Sequence, residues 1–336
     1  MSGYSEEKQL VSALFDAMAS ATADNIGEKI SPFLAESYTM YACYPFNQLE
    51  DKERIFSEVW APIYQSFGHI QRRQDVFIAG TSEINGENWV MSMGHFMGLF
   101  DQDWLGIRAT KQTVMLRYAE FYCVENGAIT KSSFFVDIIG LMQQVGLNPL
   151  PLQTGASFLV PGPETHDGLQ FDEKDPQESV KTLELLNRMI DGLSELNKSG
   201  NDNCPPSFLA QTWDDNMAWY GPAGIGSVHT IERYQQHHQY PFREGLKGKT
   251  FNGHLCRFAE GDYACFFGWP NLTNTAIGGF LGLTGSEQPA DMRVVDVYRR
   301  EGDKLKENWV IIDLPYWLKQ QGLDILERTA KIANPK

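Results

Sequence analysis

The chain contains the same segment twice. Residues 117–147 align without a gap on residues 293–323, and 7 of the 31 aligned positions are identical. The identical pairs are Arg117/Arg293, Tyr122/Tyr298, Glu125/Glu301, Asp137/Asp313, Gln144/Gln320, Gly146/Gly322 and Leu147/Leu323. Self-similarity at a fixed spacing is typical of duplicated structural units. The sequence therefore predicts two domains of one fold, at 1–147 and 179–332, joined by a linker at 148–178.

The overall charge narrows the class of partner. The chain has 336 residues, a formal net charge of −15 and a pI near 4.9. Sequence-independent binding to nucleic acid or to an anionic membrane needs clustered Lys and Arg. The composition disfavours both partners, and it leaves a small-molecule substrate or ligand as the expected one.

The termini and the cysteines bear on the compartment. Glu6, Glu7 and Lys8 lead into an amphipathic segment, not into the apolar stretch of a secretion signal. No run approaches the roughly 20 apolar residues of a membrane span. The five cysteines include no CxxC pair. Reduced thiols and a cytoplasmic location are therefore expected.

The order of elements predicts an α+β fold. Each half opens with apolar residues at helical spacing, which is typical of a helix that packs on one face. The later part of each half is rich in aromatic and β-branched residues and is interrupted by Asn126-Gly127 or Gly302-Asp303, which suit hairpin turns. An order in which helices are followed by a run of antiparallel strands is typical of the α+β class.

The second half contains a set of distinctive motifs: Trp219-Tyr220-Gly221-Pro222, His238-Gln239, Gly253-His254, Arg257, Gly268-Trp269-Pro270, Met292–Arg299 and Glu307–Asp313. These motifs resemble those of the SnoaL-like polyketide cyclases, in a two-copy branch similar to ester cyclases. The resemblance implies the cone-shaped fold of nuclear transport factor two and ketosteroid isomerase, with N-terminal helices packed on a strongly curved antiparallel sheet. It also implies domain pairing, here as a pseudo-dimer within the chain that can pair again as a homodimer.

The resemblance further implies cofactor-free chemistry, in which a carboxylate removes a proton next to a carbonyl group. The first candidate base is Asp313, because it would share a strand face with Trp309 and Ile311. The alternative is that Asp313 caps the following helix. Asp296 and His254 are the other catalytic candidates, with an ion pair and a core position as their respective alternatives.

Further residues are predicted to line two pockets. The substrate-binding candidates of the second half are Arg257, Trp269, Trp309, Tyr220, His238 and Tyr298. The first half is predicted to retain a diverged pocket around Asp137, His95, Glu120, Arg73 and Trp104. The principal site is expected in the second half, because the first has Lys131-Ser132-Ser133 in place of Glu307-Asn308-Trp309.

No motif predicts a metal or a cofactor. HExxH and paired CxxC motifs are absent, and the adjacent His237 and His238 would point about 100° apart on a helix, which does not suit a shared metal. The segment 221–226 is glycine-rich, but it lacks the spacing of a nucleotide-binding loop.

The leading hypothesis is a cofactor-independent enzyme of the cyclase, isomerase or dehydratase type, acting on a small carbonyl-containing metabolite. One alternative is a non-catalytic module that binds a small molecule or supports assembly. A further alternative is a hydrolase on the same fold, which would require Asp296, Arg293 and Asp313 to converge on one cavity.

Overall fold

The chain folds into two units of helices packed on a β-sheet, as seen in a computed structural model that describes residues 3–199 and 204–333. The described part of the first unit comprises residues 3–149, 164–173 and 324–333. The second comprises 150–163, 174–199 and 204–323. The predicted α+β class is confirmed in both units.

The first unit contains a sheet in the order β2-β1-β6-β5-β4-β3. Its strands are β1 (Leu34–Ala42), β2 (Gln48–Leu49), β3 (Phe67–Thr81), β4 (Asn88–Phe100), β5 (Thr113–Glu125) and β6 (Ala128–Val136). Strands β3 to β6 form the expected antiparallel meander, whereas β1 pairs with β6 in parallel.

The second unit repeats this arrangement, with the sheet order β10-β11-β12-β13-β7-β8 and β9 also paired with β11. Its strands are β7 (Trp213–Tyr220), β8 (Ser227–His229), β9 (Leu246–Phe251), β10 (Cys256–Glu260), β11 (Tyr263–Ala276), β12 (Pro289–Glu301) and β13 (Lys304–Ile312). Here β7 pairs in parallel with β13, as β1 does with β6.

The repeat found in the sequence corresponds to the same elements in both units. The ungapped alignment of the two copies carries the bounds of β5 and β6 onto those of β12 and β13, and the helix Ile138–Gln144 onto Leu314–Gln320. The strand register is the same in both copies. Glu120 faces Phe134 in the first, and the equivalent residues of the second, Asp296 and Val310, face each other. A single ungapped alignment therefore describes the last two strands and the final helix of both copies.

In each sheet the strand pairing is irregular beside one glycine. Gly94 faces Tyr118, and its counterpart in the second copy, Gly268, faces Val294. A Cβ atom at Gly94 would overlap the carbonyl of Arg73, and one at Gly268 would overlap Asn271. The register shifts beside both positions, and such bulges bend a strand and increase its twist.

Helices cover the sheets. Those of the first unit are Ser5–Ala19, Ile26–Ile30, Lys52–Arg54, Ala61–Ser66, Ile138–Gln144 and Ile325–Ala333, with a π-helical turn at Ile55–Trp60 and a 3₁₀ turn at Ser31–Phe33. Those of the second are Pro176–Ser199, Pro206–Leu209, Ile231–Tyr234, Tyr240–Gly245 and Leu314–Gln320, with a π-helical turn at Gln235–Gln239 and a 3₁₀ turn at Phe280–Gly282.

The long helix Pro176–Ser199 is fixed to the second sheet at its N-terminal end. Arg300 donates to the Thr182 hydroxyl at 2.8 Å and also pairs with Glu178 and Asp262. The Thr182 hydroxyl in turn lies 2.6 Å from the carbonyl oxygen of Gly261. These contacts set how the apolar face of the helix lies over the sheet.

The segment predicted as a linker contributes to both units. Residues 150–163 belong to the second unit, where Ala156 forms a bridge with Ser227. Residues 164–173 belong to the first, where Leu169 forms a bridge with Phe77.

Within residues 3–199 and 204–333, no helix is long and apolar enough to cross a membrane.

Candidate functional site

A cavity of about 190 Å³ lies in the second unit, between the sheet and the helices that cover it. Aromatic and aliphatic side chains form most of its wall, including Trp213, Trp219, Phe242, Phe266 and Val310. Fewer polar groups interrupt that wall: Asp296, Tyr298, Asn308, His238, His254, Asn271, Asn197, Gln239, Arg243, Ser194 and Tyr234. An apolar and aromatic wall that carries polar groups is typical of a small-molecule site.

Asp296 supplies a carboxylate to this cavity. Its Oδ1 accepts a hydrogen bond from the Tyr298 hydroxyl at 3.0 Å and one from Asn308 Nδ2 at 3.1 Å. Asn308 Nδ2 also donates to the Val297 carbonyl at 3.0 Å, so both of its contacts are acceptors and the amide orientation is determined. The carboxylate is therefore held in a defined orientation, at 8% exposure.

The protonation state of Tyr298 follows from its surroundings. Burial, and then the negative charge of Asp296, raises the pKa of Tyr298 well above its ordinary value. The phenol consequently keeps its proton, and its hydroxyl donates a hydrogen bond to the Asp296 carboxylate. Tyr298 and Asp296 are two residues apart on β12 and share one face of the strand.

Two histidines line the same cavity in the neutral state. Burial, and then the charge of Arg257, lowers the pKa of His254 to about 3. Burial, and then the charge of Arg243, lowers the pKa of His238 to about 3. Within the described ranges neither Nδ1 atom has a hydrogen-bond partner. Each neutral ring offers one donor and one acceptor nitrogen, so both imidazoles can bind a polar group in the cavity.

Aromatic stacking holds these imidazole rings in place. The His254 ring stacks on Phe266 with the ring centroids 3.9 Å apart, and Phe266 pairs with Asp296 across β11 and β12. The His238 ring stacks on Trp219 at 4.4 Å. The rings are therefore fixed by packing, while their Nδ1 atoms have no hydrogen-bond partner among the described residues.

Asp313 lies outside the cavity wall. Its Oδ1 accepts from the backbone N–H of Tyr316 at 3.2 Å, which caps the helix Leu314–Gln320, and its Oδ2 lies 3.4 Å from Arg293 Nη1. These contacts match the capping alternative left open by the sequence. The residues of β13 that line the cavity are Asn308, Val310 and Ile312. They lie on the strand face opposite to that of Asp313.

The remaining candidates of the second unit do not line the cavity. The guanidinium of Arg293 lies between the rings of Trp269 and Tyr316, at 3.7 and 3.5 Å from their centroids. Tyr220 stacks on Trp309, whose Nε1 donates to the Pro161 carbonyl at 2.8 Å. Arg257 is half-buried on β10. Asp296, Arg293 and Asp313 thus do not converge on this cavity.

The candidates of the first unit have different surroundings. Arg73 is exposed, Asp137 caps the helix Ile138–Gln144, and Trp104 packs against Phe67. His95 Nδ1 lies 3.4 Å from the carboxylate of Asp75.

The remaining candidate of the first unit, Glu120, occupies the position equivalent to Asp296, but it forms an ion pair with Arg72. The guanidinium of Arg72 lies 3.9 Å from the Phe15 ring centroid and 4.9 Å from that of Tyr118. The interior acid of this copy is therefore neutralised by a neighbouring side chain.

One group of side chains in the described residues has the geometry to hold a metal ion. Ligand atoms of Glu87, Cys123 and Glu125 lie within 4.8 Å of one another. Glu87 is paired with Lys131, and burial raises the pKa of the Cys123 thiol to about 12. A protonated thiol is a poor ligand, so this group does not favour a metal centre.

Several cavity residues were missed in the sequence. Asn197 continues the apolar stripe of the helix Pro176–Ser199 at helical spacing from Leu193, so a polar residue in an apolar stripe could have indicated it. Asn308 faces Tyr298 across the hairpin, a pairing that follows only once the strand register is known. Nothing in the local sequence distinguishes Arg243 from an exposed arginine.

The chain is similar in structure to solved proteins of about half its length. A candidate SnoaL-like polyketide cyclase from Jannaschia sp. CCS1 is 16% identical, with 43% of this chain and 94% of that chain covered and a TM-score of 0.34. TsrD from Streptomyces laurentii is 17% identical, with 45% and 98% covered and a TM-score of 0.33. An NTF2-like protein from Burkholderia thailandensis E264 is 15% identical, with 41% and 95% covered and a TM-score of 0.30.

No model of a known protein family matches the chain, and no curated protein matches its sequence. At the identities found, the structural likeness concerns fold alone. The roles of individual residues are therefore taken from the cavity of this chain and not from these proteins.

Proposed function

We propose that the second unit is a cofactor-independent acid/base enzyme that removes a proton next to the carbonyl group of a small molecule, with Asp296 as the base. The observation that carries the proposal is the composition of one cavity: an oriented carboxylate and two neutral imidazoles whose Nδ1 atoms have no hydrogen-bond partner among the described residues, set in an otherwise mostly apolar wall. An apolar setting strengthens electrostatic interactions and suits proton transfer from carbon.

The proposed step moves one proton and one electron pair. The C–H bond next to the carbonyl breaks, its proton passes to the Asp296 carboxylate, and its electron pair forms the enolate. His254 and His238 supply N–H groups that stabilise the negative charge developing on the enolate oxygen. Return of the proton to another atom would give an isomerase, and attack of the enolate carbon on a second carbonyl would give a cyclase.

The size of the cavity supports a small substrate. Its volume of about 190 Å³ is below the roughly 300–1,000 Å³ of typical ligand pockets, and an apolar cavity of about 150 Å³ holds benzene. A molecule with a single ring or a short chain matches this volume better than an extended polyketide does.

Deuterium exchange tests the proton-transfer step itself, whichever product follows from it. In D₂O, the protein is expected to accelerate exchange of the proton next to the carbonyl of small ketones such as pentane-2,4-dione and 4-phenylbutan-2-one, as followed by NMR. Asp296→Asn is expected to lower the accelerated rate by about 10²–10⁴-fold. Asp313→Asn is the matched control, because Asp313 lies outside the cavity wall, and it should retain the rate.

Two outcomes would contradict the proposal. Exchange that persists in Asp296→Asn would mean that another group is the base. Binding of the ketones with no exchange above the buffer rate would favour the non-catalytic binding module instead.

A further inference from the structure

A second charged residue in the cavity has no role in the proton transfer. Arg243 lies in the short helix Tyr240–Gly245, lines the cavity and is only 3% exposed. A buried cation without a counter-charge is costly, so buried arginines are normally paired with a carboxylate. The partners of Arg243 therefore decide whether its charge is structural or available to a ligand.

The protein partners of Arg243 are neutral. Its Nε donates to Gln239 Oε1 at 3.1 Å, and its Nη1 donates to Asn197 Oδ1 at 3.0 Å. Among the described residues, no ion pair joins this guanidinium to a carboxylate. Two of the five N–H donors are thus used by amides, the Cys204 thiol is a further hydrogen-bond partner, and none of the three partners is a carboxylate.

The neighbouring groups do not supply the missing charge. Burial raises the pKa of the Cys204 thiol although the nearby Arg243 opposes the shift, so the thiol is protonated. His238 is neutral, as described above. Gln239 is itself held in position, because its Nε2 donates to the Tyr234 hydroxyl at 2.7 Å while its Oε1 accepts from Arg243. The guanidinium is therefore oriented by fixed neutral groups.

We propose that Arg243 binds a carboxylate group of the ligand, so that the cavity binds a small keto acid more tightly than a neutral ketone. This inference rests on the proposed function only for the carbonyl group, because the carboxylate site stands on Arg243, Asn197 and Gln239. A planar guanidinium can bind a carboxylate through two parallel hydrogen bonds. In a molecule bound at both ends, the carbonyl group would lie between this site and Asp296.

Matched acid and ester probes test the carboxylate site. Phenylpyruvate, 4-hydroxyphenylpyruvate and benzoylacetate are compared with their methyl esters by calorimetric titration of the full chain. The wild type is expected to bind at least one acid about 10- to 100-fold more tightly than its ester, which is the range for hydrogen bonds to a charged group. Equal affinity for acid and ester in all three pairs, or no binding of any acid, would overturn the proposal.

Variants separate this inference from the proposed function. Arg243→Gln is expected to abolish the preference for the acid. Asn197→Ala keeps the guanidinium and is expected to reduce the preference without abolishing it, so it provides a second test should Arg243→Gln fail to fold. Asp296→Asn should lose deuterium exchange and keep the preference for the acid. A preference that survives in folded Arg243→Gln, or that Asn197→Ala leaves at its wild-type value, would overturn the carboxylate site, whatever the exchange experiment shows.

One further control concerns the residues that the structure does not describe. Asp202 belongs to residues 200–203, outside the described ranges. If the chain itself neutralised Arg243 through this acid, Asp202→Asn would bind the probe acids much more tightly than the wild type does. The proposal expects no such gain, and a gain would overturn it.

Discussion

At the scale of single residues, burial of groups that ionise in water dominates the chemistry of this chain. His238 and His254 are held neutral by their surroundings, Tyr298 keeps its proton beside Asp296, and Arg243 carries a charge without a carboxylate partner in the described residues. Each of these states lowers the free energy of unfolding under some condition. Each can therefore be tested by a measurement of stability.

The two neutral histidines predict a loss of stability on mild acidification. An unfolded histidine has a pKa near 6.5, whereas the folded pKa is lowered to about 3, so the unfolded state takes up the proton first as the pH falls. The stabilisation is complete above pH about 6.5 and is lost towards pH 3. Between pH 7 and 5 the loss amounts to about 2 kcal/mol for each histidine.

Calorimetric unfolding at pH 7 and pH 5 measures this loss. His238→Gln and His254→Gln should each make the stability of the second unit less dependent on pH. His237→Gln is the control, because that histidine adjoins His238 but does not line the cavity. Equal pH dependence in all four proteins would show that neither cavity histidine is kept neutral.

The ion pair of the first unit makes a second prediction at this scale. Arg72→Met leaves the Glu120 carboxylate buried without its cation, so the free energy of unfolding should fall by about 3–5 kcal/mol. Arg73→Met, at the exposed neighbouring position, should change it by less than about 0.5 kcal/mol. Adding Glu120→Gln to Arg72→Met should recover part of the loss, and no recovery would mean that the cost arises from packing against Phe15 and Tyr118.

At the scale of elements, the two copies share a construction in which an acid ends the last strand and begins the last helix. Asp137 accepts from the backbone of Gly140 at 2.8 Å, and Asp313 accepts from that of Tyr316 at 3.2 Å. From the sequence, Asp313 was the first candidate base, with capping as the alternative, and Asp137 was placed in a first-half pocket. Their contacts satisfy backbone N–H groups that a helix start would otherwise leave without an acceptor.

The helix cap can be tested at Asp137. Asp137→Ala should destabilise the first unit by about 1 kcal/mol, whereas Asp137→Asn should cost only a few tenths, because asparagine is an equally good cap. Urea unfolding of the three proteins gives the comparison. If asparagine proved as damaging as alanine, the charge of Asp137 would matter more than its capping hydrogen bond.

At the scale of the whole molecule, the chain order and the two units do not coincide. The C-terminal helix Ile325–Ala333 follows the second sheet in sequence but belongs to the first unit. There the Tyr44 hydroxyl donates to Asp324 at 2.6 Å, and a Cβ atom at Gly106 would lie 2.7 Å from that of Ala330. The first unit is therefore completed by the helix Ile325–Ala333.

Truncation after Leu323 should consequently weaken the first unit and spare the second. Hydrogen exchange followed by mass spectrometry should show faster exchange in peptides that contain Tyr44 and Gly106. Peptides of the second unit from Trp213 to Tyr220 should keep the exchange rates of the intact chain. Faster exchange throughout the second unit would contradict the assignment of the helix to the first.

The sequence alone determined the repeat and the α+β class, because these depend on local pattern and on the constant offset between the two copies. It also placed Asp296 and Tyr298 on one strand face, since side chains alternate along a strand. His254 and His238 were indicated by the motifs of the family that the chain resembles.

Only the tertiary structure decided which strand face lines the cavity and which charges are compensated. Alternation defines two faces but not which one the helix Pro176–Ser199 covers, and in the structure Asn308, not Asp313, lines the cavity. Glu120 and Asp296 are equivalent in sequence, yet β3 brings Arg72 to the first of them. Burial and pairing depend on distant segments brought together by packing, and no local spacing contains that information.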